Sequence, residues 1–243
     1  MSRYVLVHGA WHDGDCWADV AAELCAAGHE VHTPTLAGQG RGEVDRTVGH
    51  AEAVASAVHA IEAADLSDIV LVGHSYGGTI VSKLAELLTE RIRRLVYWNA
   101  FVLLDGESLY DVSPPHYNAS MDADAAERGD SSVVLPYPVW RETFMNDADE
   151  ALAWKVYDGH LSPHPVQTLR DKVELKTFPT LEIPRSYLNC TEDTAMPPGE
   201  YGWHPRFSAR LGLHRLVQMS GGHEALFTNP RLLAAKIQEA GRD

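Results

Sequence analysis

Cysteine is scarce in this chain: three residues, Cys16, Cys25 and Cys190, in 243. The number is odd and no two stand in CxxC spacing, which argues against a disulfide framework and for reduced thiols in a cytoplasmic protein. No apolar run is long enough to span a membrane. The chain enters a strand pattern at Tyr4-Val5-Leu6-Val7 without a charged region and long apolar stretch before it, so neither a membrane anchor nor a signal peptide is expected. Positive charge is also short, 20 Lys and Arg against 34 Asp and Glu, a formal net charge of −14. Such a surface repels a phosphate backbone, so no nucleic-acid partner is expected, and the acidity reads as a solubility feature.

Metal and nucleotide motifs are missing too. His8 and His12 are four apart but straddle a strand-to-loop junction, and Pro163 and Pro165 prevent a helix that would align His160 with His164. Gly38, Gly40 and Gly42 do not form a phosphate-binding fingerprint. No metal site and no cofactor are expected. Internal repeats and low-complexity linkers are lacking, and at 26.7 kDa the chain suits one domain with room for an inserted lid. A globule of this size buries about 70–75% of its unfolded surface and holds a core without metal or disulfides.

The most informative stretch is Ile69 to Gly78. The apolar run Ile69–Val72 reads as a strand buried on both faces, and it runs into Gly73-His74-Ser75-Tyr76-Gly77, a G-x-S-x-G pattern. A helical stretch follows from Gly78 to Glu90, with Ile80, Leu84, Leu87 and Leu88 at helical spacing. Strand, tight turn and helix in that order form the context of a nucleophile elbow, with Ser75 held in a strained conformation at the end of a central strand. The plain alternative is an ordinary glycine-rich strand-to-helix turn; the flanking pattern favours the elbow.

Around it, strand and helix signals alternate: strands at Tyr4–Val7, Glu30–His32, Asp68–Val72, Leu95–Trp98, Pro184–Asn189 and His214–Met219, with helices at Trp17–Ala27, Ala51–Ala63 and from Asn229-Pro230 to about Ala240. A helix or turn is expected near Glu200–Leu211. Repeated βα units predict an α/β protein, a mostly parallel sheet of about six strands flanked by helices. From about Leu104 to Thr180 the alternation breaks in an irregular, proline- and aromatic-rich segment. It is too long for a simple loop and reads as a mainly helical cap inserted after the Leu95–Trp98 strand. Residues 1–104 and 181–243 would then form the core, and 105–180 the cap.

A serine hydroxyl is a weak nucleophile and needs a base, itself oriented by an acid. In this architecture they follow later strands in the order Ser, Asp or Glu, His. Asp193 lies just beyond the strand ending near Asn189, and His223 just beyond the strand His214–Met219, after Gly221-Gly222. Competing readings stay open: Asp193 as a helix cap, the adjacent Glu192 or the earlier Asp105 as the acid, and any of 13 histidines as structural. His74 is expected to point away from the nucleophile and pack. The oxyanion would be held by the backbone N–H groups of Tyr76 and of Ala10, in the loop after the first strand. Trp11, Trp98 and the cap aromatics Tyr137, Trp140, Phe144, Trp154 and Tyr157 are candidates to wall an apolar substrate pocket, though most would simply pack the cap onto the core.

His8-Gly9-Ala10-Trp11-His12, the Gly73–Gly78 elbow, Cys190-Thr191-Glu192-Asp193 and Gly222-His223 together resemble the α/β-hydrolase superfamily, in the branch of plant methylesterases, hydroxynitrile lyases and related bacterial esterases. The resemblance covers the core at both ends of the chain and the cap only loosely. It implies an α/β-hydrolase fold and a triad of Ser75, Asp193 and His223. Thr33-Pro34-Thr35-Leu36-Ala37-Gly38 and the elbow are most similar to small bacterial esterases that open pyrethroid esters or methyl carbamates, the carbendazim-hydrolysing ones among them. The lyases of this branch carry a threonine and a lysine where this chain has Gly9 and Glu224; a glutamate there would repel departing cyanide.

The expected function is therefore a serine esterase hydrolysing a small carboxylic ester or carbamate, such as a methyl carbamate of an aromatic heterocycle, through an acyl-enzyme on Ser75. The alternatives are a hydroxynitrile-lyase-type reaction and a slow-turnover ligand receptor on the same scaffold. The expected partner is the small-molecule substrate, with no nucleic acid and no membrane; a homodimer is left open.

Overall fold

Val70, Leu71 and Val72 are β-favouring residues with no exposed neighbour, and the strand they form is buried at every position. It lies near the middle of a six-stranded sheet in a computed structural model that describes residues 1–243. In chain order the first elements are β1 (Arg3–Val7), α1 (Ala18–Ala26), β2 (Glu30–His32), α2 (His50–Ala63), β3 (Ile69–Ser75), α3 (Gly77–Leu87) and β4 (Ile92–Ala100). Then come α4 (Leu109–Val112), α5 (Pro115–Arg128), β5 (Ser132–Val133), α6 (Tyr137–Val139), α7 (Glu150–His160), β6 (His164–Pro165) and α8 (Val166–Arg170). The chain closes with β7 (Arg185–Cys190), β8 (Arg215–Met219), α9 (Ala225–Thr228) and α10 (Pro230–Gly241).

The sheet order is β2-β1-β3-β4-β7-β8 and every pairing is parallel, as the βα alternation requires. Val5 sits opposite Leu71 and Val72 opposite Val96. The two-residue period of the strands divides the core into two layers. Val5, Val7, Leu71 and Tyr97 face α2, α3 and the insertion, whereas Tyr4, Leu6, Val72 and Trp98 face α1 and α10.

Several expected boundaries shift. β3 continues to Ser75 and β4 runs from Ile92 to Ala100, longer than its apolar centre, because β4 lies between two strands and Asn99 and Ala100 still find partners there. α3 stops at Leu87, which is half exposed, while Ile80 and Leu84 are fully buried. The Glu200–Leu211 region forms only a short 3₁₀ turn, Ser208–Leu211.

The segment between β4 and β7 holds five helices and a two-stranded antiparallel ribbon of β5 and β6. It has a small core of its own, Trp140, Met145, Ala153 and Val156. No helix is long and apolar enough to cross a membrane. The chain leaves β1 toward β2 on one side and returns to β3 on the other. This creates a switch point between β1 and β3, where open α/β sheets leave a crevice at the carboxyl ends of their strands.

Candidate active site

Ser75 ends β3 with φ of +52°, a left-handed conformation that costs a non-glycine residue on the order of 1–3 kcal/mol. Its neighbours keep it there by close packing. A Cβ on Gly77 would stand 2.7 Å from the carbonyl oxygens of Val7 and His8, and one on Gly78 2.4 Å from that of Phe101. Any larger residue would push α3 off the sheet. Phe101 N–H also donates to the Ser75 carbonyl at 3.1 Å.

His223 Nδ1 lies 2.6 Å from Asp193 Oδ2, and both side chains are almost fully buried. The carboxylate is tethered twice more, by Asn99 Nδ2 to Oδ2 at 2.5 Å and by Ala195 N–H to Oδ1 at 2.9 Å. Asn99, near the end of β4, also accepts from Cys190 N–H at 2.6 Å, so it pins the end of β7 from which Asp193 emerges. The imidazole is gripped between the Trp203 ring, stacked at 5.3 Å, and His74 at 4.5 Å, with Phe144 edge-on at 5.2 Å. Burial pushes the His223 pKa down, but the charge and hydrogen bond of Asp193, aided by Glu224, outweigh it and leave the pKa above its ordinary value of 6.5. Glu192 and Asp105 point elsewhere. Asp105 accepts from Leu175 N–H and pairs with Lys176, and the exposed Glu192 bonds only through its backbone, to Asn146 and Gly221.

Ser75 and His223 line one cavity together with Ala10 and Tyr76. Ser75 Oγ lines the cavity and makes no hydrogen bond within the protein, His223 Nε2 included. The backbone N–H groups of Ala10 and Tyr76 also donate to no protein group. Two unused donors beside a hydroxyl that lines the cavity are what a developing oxyanion requires. The loop that carries Ala10 is held firmly. Trp11 has φ of +63°, its N–H reaches His164 Nδ1 at 3.4 Å, and its carbonyl accepts from Ser162 N–H at 2.8 Å. His8 braces the same loop, with Nδ1 to the Gly9 carbonyl at 2.9 Å and Nε2 accepting from Leu36 N–H at 3.1 Å. Burial lowers its pKa to about 4, which keeps the ring neutral.

The cavity, about 140 Å³, is mostly apolar, with 15 hydrophobic residues among its 22 lining residues. Trp11 and Phe144 are in its wall, in edge-to-face contact at 5.8 Å. The other three tryptophans expected there do not reach it. Trp98 alternates to the opposite face of the sheet, where it stacks on His74 at 3.9 Å and donates to Cys190 Sγ. Trp140 fills the core of the insertion and donates to the Ala153 carbonyl at 3.2 Å. Trp154 lies on the outer side of α7, half exposed, against Tyr137 and Tyr157. The wall is completed instead by residues without an aromatic signal in the sequence, among them Leu109, Met121, Val134 and Met196, and by Trp203.

Glu224 also differs from its expected place. Its carboxylate turns away from the cavity and, buried, meets the buried His12 Nε2 at 3.2 Å. No lysine or arginine lines the cavity. Asn99, Asn146 and Asp147 escaped the sequence reading. Asn146 Nδ2 donates to the Glu192 carbonyl, while Asp147 accepts from Gly222 N–H at 2.9 Å, so the insertion holds both loops that carry Asp193 and His223. The signal available was a polar residue closing an apolar strand, for Asn99; Asn146 and Asp147 offered none. Nowhere do three or more His, Cys, Asp or Glu side chains gather in a way that would hold a metal ion.

This arrangement can remove a proton from a hydroxyl, hold an oxyanion and shelter an apolar substrate. The sequence matches the model of the alpha/beta hydrolase family over residues 4–236. It is 32% identical to a carbendazim hydrolyzing esterase of Nocardioides sp. across 99% of this chain and 100% of that one. It is 27% identical to a pyrethroid hydrolase of Sphingobium wenxiniae across 98% of this chain and 87% of the relative. Among solved structures it resembles an extracellular alpha/beta-hydrolase from a Paenibacillus species, described as sharing structural and functional homology with tobacco salicylic acid binding protein 2. That likeness has a TM-score of 0.97 at 38% identity and covers 100% of both chains. With the parallel sheet, the elbow at Ser75 and a family match over nearly its whole length, the chain belongs to the alpha/beta hydrolase family.

Proposed function

We propose that the protein is a serine esterase that hydrolyses a small carboxylic ester or methyl carbamate through an acyl-enzyme on Ser75. The observation that carries this reading is the Asp193–His223 pair at 2.6 Å opening onto the cavity that holds Ser75 and two unpaired backbone donors. Its relatives named as esterases and hydrolases support the reaction class.

In this mechanism His223 Nε2 accepts the Ser75 proton as Oγ attacks the carbonyl carbon. Negative charge gathers on the carbonyl oxygen and is met by the N–H groups of Ala10 and Tyr76. Collapse of the tetrahedral species expels the alcohol, which takes the proton from His223. Water, deprotonated by the same imidazole, then attacks the acyl or carbamoyl group and frees Ser75. Asp193, tethered by Asn99 and Ala195, fixes the tautomer of His223 and stabilises its charged form. Trp11 and Phe144 would flank the substrate. The cavity wall carries no lysine or arginine to receive cyanide, which speaks against the lyase alternative.

The test is p-nitrophenyl acetate hydrolysis by the natural protein and by Ser75→Ala, followed by mass spectrometry of the protein after a fluorophosphonate. Turnover lost in the variant and a single adduct on Ser75 are expected. Equal release by both proteins would overturn the reading.

A further inference from the structure

The cavity wall opposite the sheet includes one face of α5. Tyr117, Ser120, Met121 and Asp124 all line it, at spacings of three, four and seven residues, so they form a single stripe along the helix. Asp124 is the only carboxylate among the lining residues. It is held in place, since Oδ2 accepts the Val134 N–H at 2.8 Å. Its other oxygen has no partner, and no lysine, arginine or histidine pairs with it. Tyr117 and the exposed Ser120 on the same stripe carry hydroxyls that bond to no protein group.

A carboxylate is acceptor-only, and here the protein supplies a single N–H and no cation. Asp124 is partly exposed at the cavity wall, so its remaining capacity is met by solvent until a bound molecule brings a donor. The same charge opposes a second negative group placed beside it, because no lysine or arginine lines the cavity to offset the repulsion.

We propose that Asp124 makes the cavity selective for substrates whose aromatic or apolar body carries an N–H donor or a protonated nitrogen, and biases it against anionic ones. For turnover this rests on the esterase reading above; for binding it does not. The carboxylate oxygen left free by Val134 accepts the substrate N–H, while Tyr117 and Ser120 offer hydroxyls to neighbouring polar atoms.

Two measurements test it separately from the esterase reading. The first is calorimetric binding of the N-methyl amides of para-aminomethylbenzoic and para-ethylbenzoic acid, which share a shape and differ in the nitrogen. The natural protein is expected to bind the amine about tenfold or more tightly, as for a hydrogen bond to a charged group. Asp124→Asn, which keeps the oxygen facing Val134, should bring the two affinities close together. The second is kcat/KM for the corresponding methyl esters and for the monomethyl ester of terephthalic acid. The order amine, ethyl, carboxylate is expected, with the amine and carboxylate exchanging places in Asp124→Lys. Equal affinities in the natural protein, or an amine preference that survives Asp124→Asn, would overturn the proposal. Selective binding without hydrolysis of any ester would instead remove the esterase reading and leave the Asp124 assignment standing.

Discussion

Asn99 donates its side-chain amide to Asp193 at 2.5 Å, on the same carboxylate oxygen that meets His223. The contact joins β4 to the loop after β7, 94 positions along the chain, and gives the acid a fixed orientation that neither loop provides alone.

Asn99→Ala should therefore loosen the acid without touching the substrate. We expect kcat to fall on the order of a hundredfold, the scale on which misplaced groups are felt, with little change in KM. Steady-state kinetics on one ester separate the two constants. A rise in KM alone would assign Asn99 to substrate binding instead.

The base should set the acid limb of the pH profile. In the proposed mechanism His223 acts when neutral, and its folded pKa lies above 6.5, so kcat/KM should climb with pH through a midpoint above that value. In Asp193→Asn the charge of Asp193 is lost, leaving only Glu224 to raise the pKa while burial still lowers it. The midpoint should move down, and turnover should drop about 10⁴-fold. An unchanged midpoint in the variant would refute the assignment of Asp193 as the partner of His223.

His12 and Glu224, both buried, join the loop after β1 to the loop after β8. Removing one member of a buried pair costs about 3–5 kcal/mol, because the other is left without compensation. Glu224→Ala should lose that much in a urea titration, and Glu224→Gln, which retains an acceptor for His12, much less. Equal losses in the two variants would mean that packing, not the polar contact, is what matters there.

Acid should unfold the protein early. His8 and His50 have folded pKa values of about 4, and His74 and His164 are also lowered, all chiefly by burial. Below 6.5 the unfolded chain takes up protons that the folded one refuses. Stability must fall as pH drops from 6.5 toward 4, by a few kcal/mol over the set. His223 has the opposite sign, contributing stability below 6.5 that is lost as pH rises through its raised pKa. Thermal denaturation across pH 4–7 is the measurement; a flat profile there would contradict the buried neutral state of these rings.

The elements legible from residues alone were those governed by neighbours in the chain. Ile69–Val72 followed by Gly73-His74-Ser75-Tyr76-Gly77 specifies a buried strand and a strained turn, because apolar run length and glycine placement act locally. The order of Ser75, Asp193 and His223 was readable because each follows a strand, and parallel strands deliver their carboxyl ends to one edge. Which aromatic rings reach the cavity was not readable. Trp98 and Trp154 have the composition of pocket residues, yet a two-residue strand period turns one to the far face and a helical rotation turns the other to solvent. Asn99 and Asp147 acquire their positions from contacts 94 and 75 residues away, where sequence carries no periodic signal. Local chemistry fixed the strained turn at Ser75; long-range packing of the insertion against the sheet decided the shape of the cavity and the charge within it.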